Sequence, residues 1–81
     1  MKTPDINLDV RGMSPPEPLE HCLEALFNLA PGQRLCMQID REPHPLYQML
    51  ERDGYQRETT FQDTHYLVTI WRDVPKGGGR A

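Results

Sequence analysis

The side chains able to do chemistry in this 81-residue chain gather in two short stretches, Arg11-Gly12-Met13-Ser14-Pro15-Pro16-Glu17-Pro18 and Asp40-Arg41-Glu42-Pro43-His44-Pro45. Each sets charged residues and prolines ahead of an apolar run with helical spacing, the grammar of a strand turning into a helix. A helix N-terminus exposed at such a corner offers unpaired N–H groups to an anion, and charged side chains around it suit recognition of a polar partner. The same residues also suit plain capping of the second helix and pairing with Arg11 or Glu17. Ser14 lacks any recognisable base or oxyanion donor, and its spacing to Glu17 is that of a capping box, so it reads as a helix N-cap and no catalytic residue is assigned. Of the two thiols, Cys22 falls on an apolar stripe and reads as a small core hydrophobe. Cys36 alternates onto the opposite side, with nothing nearby in sequence to lower its pKa. His21 follows Glu17 by four residues, a spacing usual for a solvated pair on a helix. His44 and His65 are expected to reach one rim and form the candidate metal pair.

These residues need elements to hold them. Ile6, Leu8 and Val10 alternate with polar neighbours and predict a strand, Leu35, Met37 and Ile39 predict a second, and two more follow over Tyr55–Gln62 and His65–Trp71 as a hairpin. Between the first two strands, Leu19, Cys22, Leu23, Leu26 and Ala30 recur at helical spacing, ended by Pro31-Gly32. Leu46, Met49 and Leu50 mark a shorter helix ended by Gly54. The order βαβαββ implies an α/β two-layer sandwich, with two helices on one face of a four-stranded mixed sheet and the final strand inserted between the second and third. Tyr66, Val68 and Ile70 would face the helices. Leu67 and Trp71 would stand on the uncovered face, a surface for a partner or a weak homodimer. Residues 1–73 form the expected domain, with residues 74–81 as a flexible tail.

Composition narrows the classes of function. Nine basic residues scattered among twelve acidic ones give a net charge of -3, which argues against a nucleic-acid partner. No apolar run approaches a membrane span, and the N-terminus has no secretory apolar region, so the expected location is the cytoplasm. Two cysteines are too few for a disulfide framework and lack the spacing of a redox pair.

Leu8-Asp9-Val10-Arg11-Gly12 with Pro16-Glu17-Pro18 resembles the TusA/SirA-like small proteins, in which a strand, a glycine and a Cys-Pro-x-Pro motif open the first helix. The resemblance spans about Leu8 to Trp71 and implies the same fold. Family members with the motif carry sulfur as a persulfide on its cysteine, but here Pro15 stands in that place. Together with Ile39-Asp40-Arg41-Glu42-Pro43-His44-Pro45-Leu46-Tyr47, the pattern is most similar to the cysteine-free domain-of-unknown-function branch of that group. Relatives there can occur beside hemerythrin-like domains, which hints at metal or redox physiology. The combined expectation is a non-enzymatic interaction or regulatory module that needs no cofactor, whose rim of Arg11, Pro15, Pro16, Glu17, Asp40, Arg41 and His44 meets a partner protein. The alternatives are a sulfur-relay protein using Cys36 or a partner's thiol, and an accessory domain binding a metal or small ligand.

Overall fold

A computed structural model describes residues 4–72. The expected tail at 74–81 lies outside the described residues. The elements are β1 (Ile6–Asp9), α1 (Glu17–Phe27), β2 (Arg34–Ile39), α2 (His44–Arg52), β3 (Gln56–Gln62) and β4 (His65–Trp71). The sheet order is β1-β2-β4-β3, with β1 and β2 parallel and β4 antiparallel to both of its neighbours. This is the expected α+β arrangement, and it follows from chain geometry. A helix must carry the chain between parallel strands, whereas β3 and β4 close directly through Asp63-Thr64. Asp63 turns that hairpin with a φ of 55°, a left-handed conformation that aspartate tolerates better than most residues.

One core joins the layers. Leu35, Met37, Ile39, Val68 and Ile70 rise from a single sheet face and pack with Cys22 and Leu26 of α1 and Leu46, Tyr47 and Leu50 of α2. Burying a side chain of this size contributes about 1.5–3 kcal/mol, so these contacts dominate the stability of the sandwich. Register keeps the period of two intact, because Leu35 lies opposite Ile70 and Met37 opposite Val68. Slipping by one residue would turn both rows outward.

Local details depart from the sequence pattern in four places. First, Ser14 does not cap α1. The N-cap is Pro16, no side chain caps the helix, and the Ser14 carbonyl accepts the Glu17 N–H at 2.9 Å. Second, α1 stops at Phe27 rather than Ala30, with Asn28 as C-cap. The buried amide of Gln33 then pulls the loop inward, accepting the Ala30 N–H and donating to the Pro4 carbonyl. Third, Leu23 leaves the buried stripe and lies exposed, as does Phe27 at 90%. Fourth, Leu67 and Trp71 are only half-buried on the outer face rather than fully exposed. The helix α2 adds Tyr47 to its buried face, which the aliphatic periodicity did not include.

Candidate functional site

The first corner begins where β1 ends. Val10 extends the parallel ladder by donating its N–H to the Gln38 carbonyl at 2.9 Å, and its side chain is buried. Gly12 follows with a φ of +79°, inside a turn closed by Met13 N–H on the Val10 carbonyl. That backbone conformation favours glycine because it lacks a Cβ. Asp9 holds Arg11 through its backbone N–H and two guanidinium nitrogens, at 3.1, 2.9 and 2.8 Å. Those bonds from Arg11 lower the Asp9 pKa to about 2, against an ordinary 3.8, and raise that of Arg11 in turn.

At the second corner β2 ends at Ile39 and α2 starts at His44. Pro43, at φ -87° and ψ 74°, makes an inverse γ-turn in which the His44 N–H reaches the Glu42 carbonyl at 3.0 Å. The Glu42 carboxylate accepts the Tyr47 hydroxyl at 3.2 Å, and that hydroxyl shares a 2.6 Å bond with Thr59. The Arg57 guanidinium lies 4.1 Å over the Tyr47 ring, and His44 meets the same ring edge-on at 5.6 Å. Tyr47 therefore pins α2 to β3. Burial, reinforced by Glu42, raises its pKa above the ordinary tyrosine value.

Asp40 joins the two corners. Its Oδ2 accepts the Gly12 N–H at 2.6 Å, across 28 residues of sequence. This bond is possible because β1 and β2 are parallel neighbours and deliver both corners to the same end of the sheet.

Between the corners lies a cleft of about 650 Å³. Its floor is Val10, Leu19, Cys22, Met37, Ile39 and Leu46, and its walls include Met13, Ser14, Arg41, Glu42 and five prolines, Pro15, Pro16, Pro18, Pro43 and Pro45. Proline has a fixed φ and no N–H, so these walls are stiff and poor in donors. Of the rim residues singled out from sequence, Pro15, Pro16, Asp40 and Arg41 line the cleft. Arg11 is turned to Asp9, Glu17 sits exposed between two lining prolines, and His44 lies exposed against Tyr47. The apolar floor was missed because its residues read simply as core; parallel strands ending side by side beneath two proline-led helix starts were the available signal.

The remaining candidates lie elsewhere. His65 alternates with inward-facing Tyr66 and so stands on the outer sheet face, whereas His44 heads α2 on the inner side; the expected metal pair is not brought together. Among the described residues no group of three or more His, Cys, Asp or Glu side chains is placed to hold a metal ion. Cys22 is fully buried, and burial pushes its pKa up to about 12. Cys36 is half-buried on the outer face, where burial and then Asp5 hold its pKa above the ordinary thiol value. No thiol at the cleft is therefore poised as a thiolate. No described helix is long and apolar enough to cross a membrane.

An α+β sandwich with a proline-walled cleft at the joined ends of two parallel strands is the class that fold and site define. Residues 7–72 match a family described as an uncharacterized conserved protein (DUF2249), and the chain belongs to that family. The match runs from β1 to the residue after β4 and includes both corners. No curated protein and no solved structure matches the chain.

Proposed function

We propose that this domain is a non-enzymatic binding module, a TusA/SirA-like fold without the sulfur-carrying cysteine, whose cleft receives part of a partner protein. The cleft carries this reading: its volume and the accessible apolar surface of Met13, Leu19 and the prolines suit side chains from a partner, and its stiff walls lose little conformational freedom on binding. A catalytic reading has less support, because the Asp40 carboxylate is engaged by Gly12 and that of Glu42 by Tyr47. Sulfur relay has less support as well, since both thiols are held in the protonated form and Pro15 stands at the motif position.

Site-specific photo-crosslinking in the native cell tests the reading. A photoreactive residue at Ser14, on the cleft wall, should give a discrete protein adduct, and one at Thr69, on the outer sheet face, should give none. Capture from Thr69 and not from Ser14 would move the interaction to the outer face and reject the cleft.

A further inference from the structure

We infer that the partner lays an amphipathic helix along the flank of α1 that continues the cleft, its apolar row on Leu19, Leu23 and Phe27 and its basic side chains on Glu20 and Glu24. This rests on the partner-binding reading and adds a second surface, together with the form of the segment that covers it. Leu19 lines the cleft. Leu23 and Phe27 follow it at steps of four, so the three form one row on one flank of α1, about 12 Å long. Leu23 and Phe27 are both exposed, Phe27 at 90%, whereas Cys22 and Leu26 on the core side of the same helix are buried. A contiguous apolar row running out of a cleft marks a contact surface, which a single exposed side chain would not.

The surface selects a helix. Backbone groups inside α1 are taken up by its own hydrogen bonds, and the prolines of the cleft wall carry no N–H, so an extended chain would find no ladder to join. A helix satisfies its own backbone and brings side chains three and four residues apart onto such a row. Charge then selects the sides of that helix. Glu20 lies three residues before Leu23, and Glu24 three before Phe27, which are neighbouring positions on a helix surface, so the two exposed carboxylates border the row on its solvent side. No ion pair among the described residues engages either, and α1 itself has no lysine or arginine. Lysine or arginine beside the partner's apolar row complements these charges and fixes which way the helix lies. A second copy of α1 would set glutamates against glutamates, and an anionic membrane surface would meet the same repulsion.

A photoreactive phenylalanine analogue at position 27 tests this in the native cell, since that exposed position takes a bulkier ring without disturbing the core. It should trap the same protein as the photoreactive residue at Ser14, and mapping of the adduct should place the contact in a segment with apolar residues three and four apart and lysine or arginine beside them. Glu20→Lys with Glu24→Lys should keep the folded ¹⁵N spectrum and cut the adduct about fivefold or more, while Glu20→Gln with Glu24→Gln should cut it less. The mapped segment, made as a capped peptide, should shift the amides of Leu23 and Phe27 and become helical on binding. An adduct indifferent to charge reversal overturns the charge assignment, and a mapped peptide that binds in an extended form overturns the helix. Capture of a second copy of this chain, or of lipid alone, overturns the partner helix altogether. If Ser14 crosslinks and position 27 does not, the interface stops at the cleft, so this inference fails and the partner-binding reading of the cleft stands. If position 27 alone crosslinks, α1 is the docking surface and the cleft reading fails. Should neither crosslink, both are lost.

Discussion

Asp9 and Arg11 form a fork at the entrance to the first corner, with Asp9 accepting both a backbone and two side-chain N–H groups. Because the folded Asp9 pKa of about 2 lies below its ordinary 3.8, the stabilisation is present above about pH 4 and fades as acid protonates the carboxylate down through pH 2. Arg11→Ala should raise the Asp9 pKa back toward the ordinary carboxylate value in a ¹³C carboxyl titration, and an unmoved Asp9 would remove Arg11 as the cause. The thiols carry the opposite sign. Cys22 stays neutral in the fold up to about pH 12 but ionises near 9 when unfolded, so its contribution is complete below about pH 9 and declines as pH rises from there. Iodoacetamide at pH 8 should therefore label Cys36 slowly and Cys22 only after denaturation, read by intact mass and peptide mapping. Rapid labelling of Cys22 in the native state would show that the cleft floor opens to solvent.

Two glycines end or turn elements by the same device. Gly54, at φ +83°, closes α2 in a Schellman motif, with Tyr55 N–H on the Leu50 carbonyl at 2.9 Å and Gly54 N–H on the Glu51 carbonyl at 3.3 Å. Gly12, at φ +79°, starts the corner above α1. A Cβ at either position meets nothing within 4 Å, so substitution by alanine is opposed by backbone conformation alone. Gly12→Ala and Gly54→Ala should each lose about 1–2 kcal/mol in urea denaturation, and the double variant should lose the sum within about 0.5 kcal/mol, since the two share no partners. Both glycines were legible in sequence, as were all six elements and the inserted β4, because period-two and period-four patterns report directly on burial. The ends of α1 were not. Pro16 took the cap because the prolines fix the backbone before Ser14 can fold its hydroxyl over the first turn, and Gln33 drew the chain inward where Ala30 had read as helix.

At the scale of the whole molecule, sequence located the end of the sheet where a site would sit but not the cleft itself. Charged residues stand out in a sequence, so Arg11 and His44 were named, yet they turn to Asp9 and Tyr47; Cys22, Met37 and Leu46 form the floor and look like any other core positions. Nor does sequence announce the bond between Gly12 and Asp40, because its partners are 28 residues apart and meet only once β1 and β2 pair. That bond sets how far the two corners stand from each other across the mouth. It is exposed, so water can replace the lost acceptor, and Asp40→Ala should cost only about 0.5–1.5 kcal/mol of global stability. The local effect should be larger. Exchange of the Gly12 amide should quicken about fivefold or more, while amides in β2 and β4, each paired on both sides, keep their protection. Asp40→Asn retains an acceptor oxygen without the charge and should fall between the two. If Asp40→Ala leaves Gly12 exchange unchanged, the corners are held by their own turns; if β2 and β4 lose protection with it, Asp40 supports the sheet as a whole and the cleft has no separate hinge.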